Sequence, residues 1–441
     1  MDKTVMTVVV EGLGFLGEGY VQIEPGRFIS IPHTLPGDCV DIEVGPWRRG
    51  RAWGQVQRWV KRMSKHVAPE CPYYDRCSGC ALRHMSPDDE RDWKVAQLRQ
   101  ILGRYGPSGA DQVTLDWLDA GQRSGHRARG RFRVVPRDDG VALGLRSTGV
   151  DGAVVDVRNC PAQSERSRAL MNASAAWLEA DPTRSYVEQV GVWTDDATGL
   201  SRVVFWVDPA SDRSLWDAPL RTFAERWSVE VGVVAGEEDV WLGGPRWGVT
   251  VAPGRVVEPS LRSWVHATPR MASRLAEWVS ARLGQNHKVV LDLCCGLGTM
   301  TFRLAQQAER VIAVDEDYMG CQALARAATR AGLHIEVRAG RVGQVLRKLR
   351  RELCGAPRPT AAVINPMRKP LGKRQLADLA ALGVHHALYL GPSPVSAARD
   401  ARVMHEMGFD VVHGAGVNLH PATAQIMLAL EFRLRAALGE S

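Results

Sequence analysis

The feature that most constrains this chain is an apolar strand, Val289–Leu293, that runs directly into a glycine-rich turn. The turn contains Gly296 and Gly298, Asp292 lies just before it, and a second apolar strand ends at Asp315. Strands and helices alternate from about residue 269 to the end of the sequence. This alternation predicts an α/β doubly wound domain with a mostly parallel sheet, in which the glycine turn faces a ligand at the head of the sheet.

The spacing of the glycines and acids favours one class of cofactor. An acid after the second strand, here Asp315, is placed to bind ribose hydroxyls. The turn lacks the third glycine of the dinucleotide fingerprint and is preceded by Asp292. This variant suits S-adenosylmethionine better than NAD. The alternative is a glycine turn in a sheet that binds no ligand.

The first sixty residues have the pattern of a small β-barrel. Five β-rich runs are separated by glycine-rich turns, as in the five-stranded oligonucleotide-binding (OB) barrel. The runs are Thr7–Val10, Tyr20–Ile23, Phe28–Ile31, Cys39–Val44 and Ala52–Trp59. Seven basic residues between positions 48 and 65 are interleaved with Trp47, Trp53 and Trp59, a combination that suits a nucleic-acid strand. Trp53 or Trp59 could equally belong to the barrel core.

Three cysteines, Cys71, Cys77 and Cys80, fall within ten residues in a turn-rich segment. Clustered thiolates of this kind bind zinc or an iron–sulfur cluster. A fourth ligand is required, and Cys160 stands alone in a second turn-like segment. A solitary distant cysteine fits a four-cysteine iron–sulfur cluster better than zinc, and thiols without a metal are the alternative.

Length and composition limit the class of protein. The chain has 441 residues, which suggests about three domains. Its formal net charge is +7, a mild excess dominated by arginine, which suits phosphate recognition. No run approaches 18 apolar residues and the N-terminus lacks a secretory pattern, so we expect a soluble cytoplasmic protein without a membrane span. Nine cysteines in a chain of this length argue against a disulfide scaffold.

With the barrel, the cysteine triplet and the glycine loop in one chain, the sequence resembles the RNA 5-methyluridine methyltransferase family over nearly its whole length. The resemblance implies an N-terminal TRAM domain, an OB-like RNA-binding barrel, at residues 1–62. It implies a central mixed α+β domain with a [4Fe–4S] cluster at 63–262, and a class I Rossmann-like methyltransferase domain at 263–441. The expected fold class is therefore α/β plus β.

The resemblance also implies the site residues. Cys160 is the fourth cluster ligand beside the cysteine triplet. His266 stands where the family has a glutamine that helps hold the cofactor, and Asn365 stands where it has an aspartate, in the segment Asn365-Pro-Met-Arg368. The implied ligands of S-adenosylmethionine are His266, Asp292, Gly296, Gly298, Asp315 and Asn365.

Two catalytic positions of the family are substituted. The family adds a cysteine thiolate to C6 of uracil and removes the C5 proton with a carboxylate base. Pro392 stands at the cysteine position and Met427 at the glutamate position. We expect Cys294 and Cys295, beside the glycine loop, to pack in the core rather than replace the nucleophile. No catalytic residue is assigned.

Two functional hypotheses follow. The first is an RNA-binding iron–sulfur protein, a pseudoenzyme of the S-adenosylmethionine-dependent RNA (uracil-5-)methyltransferase family that cannot form 5-methyluridine by the covalent route. The second is an active methyltransferase of ribosomal or transfer RNA with rewired catalytic residues or a different target atom. Asn365-Pro366 resembles a segment of amino-group methyltransferases, which need no covalent step. A redox module working through the cluster is a third class. The sequence leaves open the target nucleotide and the oligomeric state.

Overall fold

The computed structural model describes residues 5–138, 140–148, 152–355, 357–367 and 370–435. Its strands are β1 Val5–Val9, β2 Gly12–Leu13, β3 Gly19–Glu24, β4 Arg27–Ile31, β5 Cys39–Val44, β6 Arg51–Lys61, β7 Leu115–Leu118, β8 Arg129–Arg137, β9 Gly140–Arg146, β10 Val154–Asp156, β11 Val187–Thr194, β12 Ser201–Val207, β13 Glu230–Ala235, β14 Glu238–Gly243, β15 Val249–Ala252, β16 Arg255–Val257, β17 His287–Leu293, β18 Ala308–Asp315, β19 Ile335–Ala339, β20 Ala361–Ile364, β21 His386–Gly391, β22 Phe409–Val417 and β23 Met427–Leu434. Its α-helices are α1 Pro87–Tyr105, α2 Glu165–Glu179, α3 Asp217–Trp227, α4 Pro269–Leu283, α5 Thr301–Leu304, α6 Tyr318–Arg330, α7 Val342–Glu352, α8 Lys373–Ala381 and α9 Pro394–Glu406.

The chain divides into two compact units. Unit 1 comprises Met1–Gln97, Gly144–Pro161 and His420–Gln425, and unit 2 comprises the remainder. The predicted boundaries at 62/63 and 262/263 divide the chain differently, since the predicted central domain has residues in both units, and they stay a prediction. No described helix is both long and apolar enough to cross a membrane.

Unit 1 begins with a six-stranded sheet in the order β1-β5-β6-β4-β3-β2. The sheet forms a half-barrel around buried aliphatic side chains such as Ile29, Ile31 and Ile42. All five predicted runs coincide with strands, except that Val10 lies just beyond the end of β1, which confirms a β-rich N-terminal element. The two-residue strand β2 was missed because the short stretch between Gly12 and Gly14 has the composition of a turn.

The rest of unit 1 carries the cysteine-rich segment. The last three residues of β9 pair antiparallel with β10. Ser78 N–H donates a hydrogen bond to the Arg146 carbonyl, and Thr148 N–H donates to the Arg76 carbonyl. The segment around Cys77 is therefore tied to the β9–β10 hairpin.

Unit 2 contains two larger sheets. In the first, β8, β11, β12, β13 and β14 lie in that order, with α2 packed on β11 and α3 on β13 and β14. The second has the order β19-β18-β17-β20-β21-β23-β22-β7. Its first five strands are parallel and β23 runs antiparallel to both neighbours. The predicted α/β doubly wound sheet is therefore confirmed.

Candidate functional site

The loop after β17 brings main-chain atoms to the carboxyl edge of the parallel sheet. Gly296 and Gly298 have φ of +53° and +90°. A Cβ on Gly298 would lie 2.5 Å from a methyl carbon of Leu324, so this position excludes a side chain. A Cβ on Gly296 would meet no atom within 4 Å, so the space beside it is open. The loop can therefore present its backbone to a ligand.

Asp292 is a fully buried carboxyl group near the end of β17. Its Oδ2 accepts a 2.5 Å hydrogen bond from the Thr301 hydroxyl, whereas its Oδ1 has no hydrogen-bond partner among the described residues. Burial raises the pKa of Asp292 to about 7, and the charge of Asp315 acts in the same direction. A cation beside Oδ1 would favour the ionised form, so the carboxyl group suits a positively charged ligand.

Asp315 ends β18 and is bonded to the glycine loop. The Gly296 N–H donates to its Oδ2 at 2.8 Å, and the Asp317 N–H donates to its Oδ1 at 2.9 Å. Asp317 caps α6 and also accepts a 2.9 Å hydrogen bond from the Ser263 hydroxyl. These contacts hold the acid predicted to bind ribose, the glycine loop and the segment that contains His266 next to one another.

His266 lies three residues after Ser263, and its ring packs edge-on against that of Trp264 with centroids 4.4 Å apart. Burial and the charge of Arg129 lower the pKa of His266 to about 4, so the imidazole is neutral at pH 7. Within the described part of the chain, no hydrogen bond links His266 to Asp292 or Asp315. The structure therefore links this segment to Asp317 through Ser263, and no hydrogen bond of the His266 side chain to the two acids is seen among the described residues.

Asn365 follows β20 at the same edge of the sheet. Its N–H donates a 2.9 Å hydrogen bond to the carbonyl of Leu293, the last residue of β17. The side chain of Met367 is 65% exposed, and Arg368 lies outside the described residues. Asn365 therefore joins Asp292, the two glycines and Asp315 at one end of the parallel strands.

The position matched to the family's nucleophile lies between β21 and α9. Pro392 is part-buried there and carries no nucleophilic atom. The Tyr389 hydroxyl, three residues earlier, donates a 2.6 Å hydrogen bond to Asp400 Oδ2, which also accepts from the Leu371 N–H at 2.8 Å. These two hydrogen bonds hold the segments on either side of the turn that contains Pro392, and neither group is a thiol.

Met427, matched to the family's base, is the first residue of β23. Its side chain is 4% exposed and packs in an apolar cluster with Leu388, Leu390 and Val417. A thioether cannot accept the C5 proton of a uracil. The residue has a packing role at this position.

Cys294 is the nearest alternative nucleophile by sequence, directly after β17. Its backbone has φ of +59°, which places it in the left-handed region. Burial raises the pKa of its thiol to about 12, with contributions from the negative charges of Asp315 and Asp292. Since the thiolate is the reactive form, Cys294 does not meet the requirement for covalent addition at neutral pH.

The four cysteines of the predicted metal site all lie in unit 1, and their side chains are part-buried. Burial is the main cause that raises the pKa of Cys77 to about 11, with smaller contributions in the same direction from the charges of Cys80, Cys160 and Cys71. The distant Cys160 is therefore near enough to act on Cys77. Among the described residues, no group of three or more His, Cys, Asp or Glu side chains is arranged to hold a metal ion. The cluster stays a prediction.

The N-terminal sheet pairs arginines with tryptophans. Guanidinium groups lie over the rings of Trp47 and Trp59 at 4.2 and 4.7 Å, from Arg27 and Arg62 respectively. Trp53 is 42% exposed and therefore does not belong to the core, whereas Trp59 packs partly against it. Exposed aromatic rings beside cations can stack on bases and neutralise phosphates.

The fold is that of a class I methyltransferase joined to further β-rich elements. Over 97% of this chain and 99% of the other, it matches the crystal structure of the Pyrococcus abyssi tRNA (uracil-54, C5)-methyltransferase in complex with S-adenosyl-L-homocysteine. The TM-score is 0.74 at 18% sequence identity, so this likeness concerns the fold.

Comparison of sequences finds relatives that align with nearly the whole of this chain. It is 27% identical over 443 residues to the 23S rRNA (uracil(1939)-C(5))-methyltransferase RlmD of Halomonas elongata, covering 96% of this chain and 89% of the relative. It is 27% identical over 411 residues to an uncharacterized RNA methyltransferase of Caulobacter vibrioides, covering 92% and 94% respectively. No family model matches the chain.

Sequence reasoning missed the polar contacts that connect the site. Thr301 and Asp317 bind Asp292 and Ser263, respectively, through hydrogen bonds that the glycine spacing did not reveal. Only their positions in the sequence indicated these residues. Thr301 begins the helix after the loop, and Asp317 directly precedes α6 and is a residue type that commonly caps a helix.

Proposed function

We propose that this protein is an S-adenosylmethionine-dependent RNA methyltransferase that acts on a ribosomal or transfer RNA. The observation that carries the proposal is the carboxyl edge of the parallel sheet. There the buried Asp292 has an oxygen with no hydrogen-bond partner in the described part of the chain, and the open backbone of Gly296 is bonded to Asp315. The relatives named above support RNA as the substrate and uracil C5 as the first target atom to test. A cytoplasmic location is part of the same proposal.

The side chains at this edge suit the chemical groups of S-adenosylmethionine. The molecule carries an ammonium and a sulfonium, and its positive charge would offset ionised Asp292. Asp315 is proposed to bind the ribose hydroxyls, and the backbone of Gly296 and Gly298 to allow close approach. Neutral His266 and Asn365 are proposed to hydrogen-bond the cofactor, which supplies the methyl group when bound.

The transfer is proposed to proceed without a covalent bond at position 392. Pro392 has no nucleophile and Met427 has no basic atom, so neither step of the family's C5 chemistry can occur at these positions. A different residue must activate the target base, or the methyl group goes to an atom that is already nucleophilic. Asn365-Pro366 supports the second route, since amino-group transfer needs no addition to the ring.

We also propose a [4Fe–4S] cluster on Cys71, Cys77, Cys80 and Cys160. The charges of three of these cysteines raise the pKa of the fourth, Cys77, and bound iron would stabilise all four as thiolates. The half-barrel of unit 1 is proposed to bind RNA through the exposed ring of Trp53 and the surrounding arginines.

Calorimetric titration with S-adenosylmethionine and S-adenosylhomocysteine tests the cofactor site. We expect micromolar binding and a loss of about tenfold or more, near 1.4 kcal/mol, in Asp315→Asn. Asp239→Asn, on β14, is the matched control and should bind normally. Transfer of a radiolabelled methyl group to undermodified ribosomal or transfer RNA then tests the activity. Absence of cofactor binding in the wild type would refute the proposal.

A second candidate is an RNA-binding protein that has kept this fold without methyl transfer. The substitutions Pro392 and Met427 specifically favour it. It predicts RNA binding that falls steeply with salt, with no labelled product on any RNA even when cofactor binds. Any methylated nucleotide found by mass spectrometry of the treated RNA would exclude this candidate.

A further inference from the structure

Two large apolar side chains lie at the surface of a turn in the half-barrel of unit 1. This apolar turn, Gly14–Gly17, connects β2 to β3, and the Gly17 N–H donates a 3.0 Å hydrogen bond to the Gly14 carbonyl. Its two central residues, Phe15 and Leu16, are 58% and 57% exposed. Central positions of turns usually hold glycine, proline, asparagine, aspartate or serine. Phenylalanine and leucine at both positions therefore expose apolar surface that the turn itself does not require.

The apolar turn is fixed to the rest of unit 1 at both ends. Glu18, which is 3% exposed, accepts a 2.9 Å hydrogen bond from the Leu16 N–H, and its carbonyl accepts one from the Gly14 N–H at 2.7 Å. A Cβ on Gly14 would lie 2.7 Å from the carboxyl group of Glu18. A Cβ on Gly17 would overlap the side chain of Leu82. The closely packed glycines therefore hold the two apolar side chains at the surface on a fixed backbone.

The carboxyl group of Glu18 also connects the apolar turn to an exposed tryptophan of the half-barrel. Its Oε1 accepts a 2.5 Å hydrogen bond from the Arg51 guanidinium, whose Nε donates to the Ser30 hydroxyl at 2.8 Å. The same guanidinium lies 5.8 Å from the ring centroid of Trp53, which is 42% exposed. The apolar turn, this cation and this indole ring therefore belong to one connected surface.

Such a surface has the features that bind unstacked nucleobases. Aromatic rings stack on bases of any identity, and neighbouring cations neutralise the phosphates. Apolar side chains that project from a fixed backbone insert between bases and separate them. In a duplex the faces of the bases are covered by their neighbours, whereas unpaired loops, bulges and single strands expose them. Phe15 and Leu16 therefore suit RNA whose bases are unpaired.

We infer that Phe15 and Leu16 contact unstacked bases, so that the half-barrel binds unpaired RNA in preference to duplex RNA. This inference rests on the proposed binding of RNA by the half-barrel and adds the class of RNA structure that it recognises. Residues 48–65 include seven basic side chains and no acidic one, which favours a polyanion as the partner. Because the relatives of the chain are RNA methyltransferases, RNA is favoured over an anionic lipid surface.

Fluorescence anisotropy with a labelled RNA of about twelve nucleotides, single-stranded or annealed to its complement, tests the inference on the full-length protein. We expect the wild type to bind the single strand about tenfold more tightly than the duplex. The double variant Phe15→Ser, Leu16→Ser should bind the single strand about tenfold more weakly, with an unchanged salt dependence because no phosphate contact is removed. Phe15→Tyr keeps an aromatic ring and should bind normally. Val9→Ser, at a 56% exposed position on β1, is the matched control and should also bind normally.

Photochemical crosslinking locates the contact. Thiouridine in the same single strand, followed by peptide mapping, should link a base to the peptide that contains Phe15 and Leu16. Binding of the wild type with crosslinks in other peptides only would overturn the inference, as would equal affinity for the single strand and the duplex.

The outcomes separate this inference from the proposed function. RNA binding needs neither the cofactor nor methyl transfer, so absence of cofactor binding would refute the proposed activity alone. Equal affinity of the wild type and the double variant for the single strand would refute the inference alone, and no binding of either RNA by the wild type would refute both. If the double variant lost binding to phosphatidylserine vesicles, or lost self-association, while RNA binding was unchanged, the apolar turn would contact lipid or a second copy of this chain and the inference would be overturned.

Discussion

Replacing Asp292 with asparagine removes a buried ionisable group at the carboxyl edge of the parallel sheet, where the cofactor is proposed to bind. The amide keeps an oxygen that can accept the Thr301 hydrogen bond, so the local geometry is preserved. It removes a group whose pKa is raised from 3.8 to about 7, chiefly by burial. The variant therefore isolates the effect of ionisation at this position.

The sign and size of the effect follow from linkage. Since the folded-state pKa lies above the unfolded value, ionisation of Asp292 destabilises the fold. This cost is absent below pH 4, grows through the window from pH 4 to 7 and is complete above pH 7. A shift of about three pKa units corresponds to on the order of 4 kcal/mol. Part of this cost is already present at pH 5, so relative to the wild type Asp292→Asn should gain about 2–3 kcal/mol of stability between pH 5 and pH 8.

Urea unfolding followed by tryptophan fluorescence at pH 5 and pH 8 measures the difference. Asp196→Asn, at an exposed position, is the control and should show no change in relative stability with pH. A stability difference between Asp292→Asn and the wild type that is the same at both pH values would refute the reasoning. Cofactor affinity gives an independent check, because it should increase from pH 6 to pH 8 in the wild type and not in Asp292→Asn.

Three further outcomes test the remaining parts of the site. Pro392→Ala should leave any methyl transfer unchanged within about twofold, since no step uses this residue, and abolition of transfer would show that the turn takes part. Cys77→Ser should lose iron in an anaerobic iron assay that finds about four irons per wild-type chain, whereas Cys39→Ser should retain them. Trp53→Ala should weaken RNA binding by about 1–3 kcal/mol in a filter-binding assay, through lost base stacking, with its salt dependence retained.

The alternation of strands and helices was enough to predict the second sheet of unit 2, because parallel strands joined by helices have few possible arrangements. The partner of β7 was not predictable in this way. Leu115–Leu118 pairs in parallel with β22, about three hundred residues later in the chain. Nothing in a four-residue strand specifies so distant a neighbour, since strand patterns encode the buried face and not the partner.

The site was predictable where it depends on backbone and less so where it depends on side-chain contacts. Glycine spacing located Gly296 and Gly298, since few residues other than glycine adopt their φ values. The 2.9 Å hydrogen bond between Ser263 and Asp317 depends on how the segment before α4 packs against the start of α6, which no local sequence pattern specifies. Tertiary packing alone determines such a pair.

At the carboxyl edge of the parallel sheet, the proposed cofactor site and the positions matched to the family's catalytic residues have different physical requirements. The first is built from main-chain geometry and buried carboxyl groups, so a shared fold supports it directly. The second requires particular atoms, a thiol and a base, and the turn after Tyr389 carries Pro392, while the Tyr389 hydroxyl is bonded to Asp400. The likeness in fold therefore covers the backbone of this edge, whereas cofactor binding and methyl transfer stay proposals. Product analysis on RNA decides between a rewired transferase and a binding protein, because that measurement reports on the half of the site in which this chain differs.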